Sequence, residues 1–243
     1  MVQVERAARR RSERQEAILA VARRTVASEG LDALTIKGLA VELDCAVGTV
    51  YTYFPSKGAL VAALQVAAIR RLASVYERVE GALEPGIAGL GAAGGAQVLA
   101  RLVLFGRSVA AAEAHQPDEV HLQQRLLTAP PQFGSAELAE VTRAAFEALA
   151  RPQGLLEDAA ARGVVRPGDP FERVLRWISG LNGVLLLRGV GVEAGVFDLR
   201  RLCDDLTLDL LRGWGAHDAA LDAAAAAVPY AAVDEAFAVE VAR

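Results

Sequence analysis

The chain is poor in residues that carry covalent or metal chemistry. Its 243 residues include two cysteines, one methionine and three histidines. Cys45 and Cys203 cannot form a disulfide framework, and no Cys-x-x-Cys or Cys/His ligand spacing occurs, so a reducing compartment is expected. Gly-x-Ser-x-Gly, P-loop, His-Glu-x-x-His and dinucleotide fingerprints are all missing, which leaves no enzyme motif. Asp118 and Glu119 with His115 and His121 form a superficial metal cluster. Pro117 separates His115 from the rest, and a solvated loop-to-helix junction explains them equally well. Neither a metal nor a cofactor is expected. No apolar leader opens the sequence. The most apolar window, "LNGVLLLRGVGVEAGVF", is too short to span a bilayer and holds Arg188 and Glu193. A cytoplasmic protein with no membrane partner is the expectation.

What is present is a folded composition, 53% apolar and 23% charged, on a chain long enough for one large or two small domains. The net charge of −4 gives no nucleic-acid signal by itself. Its distribution does. Residues 1–60 hold nine Lys/Arg against seven Asp/Glu, whereas the remainder holds seventeen against twenty-three. Five arginines (Arg6, Arg9, Arg10, Arg11 and Arg14) crowd the first fourteen residues. Residues 1–11 therefore read as a basic arm on an acidic body, either a solvated tail or a segment that meets a polyanion.

Apolar residues recur at helical spacing almost everywhere, and no alternating strand pattern stands out, which predicts an all-α fold. "SERQ" reads as a capping box, with Ser12 as N-cap of a first helix that ends at Gly30. Thr35 caps a second short helix bearing Ile36, Leu39, Ala40 and Leu43. A tight turn at Asp44-Cys45-Ala46 leads to a third, from about Val47 to Phe54, stopped by Pro55. Ser56 then caps a long fourth helix over roughly 57–80. Two short helices across a three-residue turn, with a longer helix on each side, make a helix-turn-helix over 12–57.

The stretch "CAVGTVYTYFPSKGAL" concentrates the chemistry that DNA recognition needs. A helix entering the major groove must carry small groups at its N-terminal end, and Ala46, Val47, Gly48 and Thr49 are small. Val50 and Phe54 would face the three-helix core. Tyr51 and Tyr53 carry hydroxyls on rigid rings suited to phosphates. Lys57 is one of only two lysines and lies in the first turn of the next helix, where anions are already favoured.

"TIKGLAVELDCAVGTVYTYFPSKGAL" resembles the DNA-binding signature of the tetracycline-repressor (TetR) family of bacterial regulators. Thr35, Leu39-Ala40, Gly48, Thr49, Tyr51, Tyr53, Phe54, Ser56, Lys57 and Leu60 fall in register with it over about 12–65. The resemblance implies that Thr35, Tyr51 and Lys57 clamp phosphates. Val47, Gly48 and Thr49 would approach base edges, with Tyr53 at the groove margin. Three positions depart. Asp44 replaces the turn glycine, Cys45 the usual valine, and Ala46 the serine that would cap the recognition helix, a loss worth about 1 kcal/mol. Gly58 also replaces a polar residue after Lys57.

Beyond about residue 66 no motif is as sharp. "GALEPGIAGLGAAGG" (81–95) reads as a loop. Helices are expected at roughly 96–114, 117–127, 135–162 (kinked or broken at Pro152), 170–189 and 198–213. Two shorter ones flank Pro229. The helices at 170–189 and 198–213 are apolar on more than one face, so they are either core or a subunit interface. The resemblance favours a homodimer through Ile178, Leu185, Leu202, Leu206 and Leu210, which would set two recognition helices about 34 Å apart. It also implies an effector pocket in a helical domain over 58–243, with His121, Gln124, Trp177 and Asn182 as candidate polar groups. The sequence is thus expected to encode a DNA-binding repressor released from its operator by a small, largely apolar effector. An α-helical carrier or enzyme with merely structural N-terminal helices is the alternative.

Overall fold

The computed structural model describes residues 2–91, 95–128, 134–189 and 198–241, with the side chains at 2–5, 7, 125–128, 240 and 241 left out. Eleven α-helices follow one another in the described residues, with no strand: α1 Val2–Glu29, α2 Ile36–Glu42, α3 Val47–Tyr53, α4 Lys57–Ala88, α5 Ala96–His115 and α6 Pro117–Thr128. Then come α7 Ser135–Ala161, α8 Pro170–Leu186, α9 Leu199–Gly213, α10 Asp218–Ala227 and α11 Tyr230–Val241. The all-α expectation holds. The glycine-rich stretch 190–197 and residues 92–94 of the expected loop lie outside the described residues.

Backbone contacts divide the chain into two compact units, residues 1–70 with 118–145, and residues 71–117 with 146–243. The division therefore falls inside α4 and α7 rather than at residue 57, and α6 groups with the N-terminal helices. The first unit has a core of Ile18, Val21, Val26, Leu34, Leu39, Val50, Phe54, Leu60, Leu64 and, from α6, Leu122. Arg23 of α1 pairs there with the buried Glu119 of α6. In the second unit, α5 is buried over most of its length. Edge-to-face rings run Tyr76–Phe105–Trp177–Trp214, with centroids 5.0, 5.0 and 6.4 Å apart. Arg107 is held by Asp204 at 2.8 and 2.9 Å and by the carbonyls of Ala225 and Val228 at 2.7 and 2.8 Å. This satisfies a buried guanidinium and fastens α9 and the end of α10 to α5.

Three sequence expectations are corrected. Ser12 does not cap the first helix: α1 begins at Val2, and the Ser12 hydroxyl donates to Glu16 Oε1 at 3.2 Å from inside it. Hence no break separates a basic arm from the helix. Much of 81–95 is helix, because α4 continues through Pro85 to Ala88. Buried Val79 and Ile87 and the Arg101–Glu84 pair (2.5 and 3.2 Å) hold that last stretch, and Gln97 Nε2 donates to the carbonyls of Ala88 and Leu90 at 3.3 and 2.7 Å. Tertiary packing here overrides a local breaker. Of the two alternatives at Pro152, the break does not occur, since α7 is one helix through it. By length and composition α4 could cross a membrane, but Leu60, Val61, Leu64, Val75, Val79 and Ile87 along it are buried in the protein.

Gly106 allows α5 and α9 to approach. A methyl group there would collide with Thr207 Oγ1, which accepts a hydrogen bond from Trp177 Nε1 at 3.0 Å and donates to the Cys203 carbonyl at 2.8 Å. Gly106→Ala is therefore expected to destabilise the protein by about 1–3 kcal/mol through overpacking, measurable as a lower midpoint in urea unfolding.

Candidate nucleic-acid interface

The turn between α2 and α3 aims the candidate recognition helix. After Glu42 the backbone closes a Schellman motif: Cys45 N–H donates to the Ala40 carbonyl at 2.9 Å, and Asp44 N–H to that of Val41 at 3.2 Å. Asp44 occupies the left-handed position, with φ of 47°. It is the sole non-glycine residue with positive φ among the described residues, and its short polar side chain tolerates that conformation better than most. Cys45 packs, half-buried, against the first-unit core. Thr35 caps α2 as expected, its Oγ1 accepting from Gly38 N–H at 3.0 Å.

Helix α3 turns one side inward and leaves its N-terminal end bare. Val50 and Phe54 are buried in the core, as their spacing predicts. Ala46, Val47 and Gly48 are exposed, Thr49 is half-buried, and Tyr51 is 49% exposed. Ala46 makes no side-chain cap, so the absent serine does leave this end without one. The Thr52 hydroxyl donates back to the Gly48 carbonyl at 2.9 Å. Gly48 has nothing within 4 Å of where a Cβ would sit. No packing among the described residues requires a glycine there, although glycine in a helix costs roughly 0.5–1 kcal/mol relative to alanine.

Tyr53 is half-buried against the core, and the Arg11 guanidinium lies over its ring at 5.6 Å. This contact between α1 and α3 had no counterpart in the sequence reading. Only the basic run at 6–14 hinted at it. Ser56 caps α4 by accepting from Ala59 N–H at 2.9 Å. Lys57 Nζ donates to the Leu31 carbonyl at 3.3 Å, so its ammonium is held beside the α4 N-terminus with two further N–H groups still able to donate.

The remaining predicted residues are distributed as follows. His121 and Gln124 lie on α6 in the first unit, and Trp177 and Asn182 on α8 in the second. Trp177 is fully buried and bonded to Thr207, while Asn182 Nδ2 donates to the Ile178 carbonyl at 2.8 Å. His115 accompanies Asp234 at 2.8 Å rather than Glu119. On α8 and α9, Ile178, Leu202, Leu206 and Leu210 are half-buried, and Leu175 and Leu186 are exposed. Leu185 is corrected: at 3% exposure it faces the interior of its own chain and has no surface to offer a partner.

A short exposed helix held by a tight turn on a three-helix core, with hydroxyls and an ammonium around it, is a helix-turn-helix DNA-binding domain. Residues 18–64 match the family model for bacterial regulatory proteins of the tetR family. The N-terminal unit therefore carries the DNA-binding domain of that family. Solved structures with the same fold include a tetR-family regulatory protein from Rhodococcus RHA1 (18% identity, 84% of this chain and 98% of that one, TM-score 0.58). Two others are FadR from Bacillus subtilis, solved with stearoyl-CoA (17%, 82% and 98%, TM-score 0.61), and the fatty acid degradation regulator FadR from Bacillus halodurans (16%, 84% and 97%, TM-score 0.60). No curated protein matches the sequence.

Restoring the missing cap checks the description of α3 directly. Ala46→Ser is expected to stabilise the protein by about 1 kcal/mol, read as a raised melting temperature by circular dichroism.

Proposed function

We propose that the chain acts as a homodimeric repressor that reads its operator through the N-terminal end of α3 and is released by a small, largely apolar effector. The observation that carries the DNA contact is Gly48. It lies on the exposed end of a helix, costs stability there, and a Cβ on it would meet nothing among the described residues. A backbone that must approach base edges explains it. Val47 and Thr49 flank it as base-reading groups, with Ala46 giving clearance. Thr35, Tyr51 and Lys57 bind phosphates, and Tyr53 sits at the groove margin.

The half-buried and exposed leucines of α8 and α9 support a two-fold interface, with Ile178, Leu202, Leu206 and Leu210 as its centre. Support for an effector is chemical. The hydroxyls of Tyr76 and Ser108 are buried in the second unit without a hydrogen-bond partner among the described residues. Phe105 stacks edge-on against Tyr76 and lies one turn from Ser108 on α5. Burial, reinforced by Glu80, raises the Tyr76 pKa and keeps the hydroxyl protonated. The interior therefore offers neutral donors among aromatic and aliphatic walls, which suits an apolar ligand with an oxygen acceptor. FadR of Bacillus subtilis was solved with stearoyl-CoA, whose acyl chain is apolar although its coenzyme A part is charged.

The test starts by selecting binding duplexes from a random DNA pool with the full chain. Gly48→Ala is expected to raise thermal stability by roughly 0.5–1 kcal/mol yet weaken binding to the selected duplex at least tenfold. Tyr51→Phe and Lys57→Ala should weaken all duplexes similarly, whereas Thr49→Ala should shift preference between them. Enrichment of no duplex would favour the carrier reading and overturn this one.

A further inference from the structure

The first three turns of α1 overhang the core they lead into. Buried positions on this helix begin only at Ile18, and every described side chain from Arg6 to Glu13 is exposed. The helical series Arg11, Arg14, Ile18, Val21 and Thr25 keeps one face by steps of three and four. That face is aliphatic where it covers the three-helix core and becomes arginine where the core ends. Arg10 lies beside it, one turn before Arg14. A stripe that changes from core residues to guanidinium groups must face something other than core. The chain itself shows the direction, because Arg11 is over the ring of Tyr53 on the recognition helix at 5.6 Å. Among the described residues no carboxylate forms an ion pair with Arg10, Arg11 or Arg14. Arg9, to the other side of the helix, is paired with Glu13 at 2.8 Å.

We propose that the overhanging start of α1 is a second DNA-binding element, in which Arg10, Arg11 and Arg14 grip phosphates flanking the groove that α3 enters. The inference rests on the DNA-binding reading above and extends it to residues outside the family signature. The partner fits by chemistry and by position. Guanidinium forks bind phosphate oxygens bidentately, and the cation–π contact sets one of them against the helix that reads the bases. Being helical from Val2, the segment is already ordered, so less conformational entropy is lost on binding than for a disordered arm. Contacts of this kind add affinity without sequence preference.

The triple variant Arg10→Gln, Arg11→Gln, Arg14→Gln keeps good helix formers and removes three charges. Binding of the full-length chain to its pool-selected duplex is measured by fluorescence anisotropy from 50 to 300 mM salt. The variant is expected to bind at least tenfold more weakly at the lower salt. Its slope of log affinity against log salt should be shallower by about 2–3 per bound chain, with the same consensus emerging on reselection and an unchanged circular-dichroism spectrum. Arg9→Gln should change the slope by less than about 1. A triple variant with wild-type slope and affinity overturns this proposal and leaves the DNA reading standing. A wild-type chain that enriches no duplex overturns both. An altered consensus would make these arginines readers of sequence, contradicting the phosphate assignment.

Discussion

The left-handed turn at Asp44 governs what the N-terminal unit can do. Two backbone hydrogen bonds close it, and it sets α3 against α2 at the angle that sends Val50 and Phe54 inward. With those two buried, the geometry of a short helix leaves Ala46, Val47, Gly48 and Tyr51 outside. The base-reading role proposed for α3 follows from that partition. Helix α3 is seven residues long, far below what is stable alone. Its orientation is therefore a property of the turn and the core and not of its own sequence. An aspartate at the αL position and an alanine at the N-cap both act against the helix locally, and the core around Ile18, Leu39 and Leu60 offsets them.

The second unit is stabilised by a different device, polar groups buried with their partners. Arg107 has its carboxylate and two carbonyls, and Trp177 has Thr207. Asp234 has Arg200 at 2.7 and 2.8 Å and His115, which hold its carboxyl below the usual range. Each fixes α10 or α11 or the α8–α9 pair against a neighbour, because a buried guanidinium or indole N–H left unpaired would be costly. Burial pushes the Cys203 thiol up to about 12, which makes it a small inert core group. Against that background the hydroxyls of Tyr76 and Ser108, which have no hydrogen-bond partner among the described residues, stand out.

The sequence was most legible where chemistry and periodicity agreed. Thr35 as N-cap, Gly30 at the end of α1, the αL Asp44 and the inward Val50 and Phe54 were all readable from residue type and spacing. It misled where a local signal was overruled at long range. Ser12 and Gln15 imitate a helix start, but nothing in a run of exposed arginines shows that the helix begins ten residues earlier. Pro85 and Pro152 imitate helix ends, and long-range contacts such as Glu84 with Arg101 and Glu80 with Arg151 (2.5 and 3.0 Å) accompany the helices that persist through them. Leu185 shared its spacing with interface candidates, and helical periodicity cannot distinguish a core face from an interface face. The Arg11–Tyr53 contact spans 42 positions of sequence, beyond any local pattern.

The central claim is that α3 presents its small N-terminal end to the major groove, once per subunit, on one face of the duplex. Hydroxyl-radical footprinting of the full chain on a pool-selected duplex tests it most directly. The account predicts two protected windows whose centres lie about one helical turn or a whole multiple of it apart, with major-groove guanines inside them shielded from methylation. A single window, or protection confined to the minor groove, would contradict it.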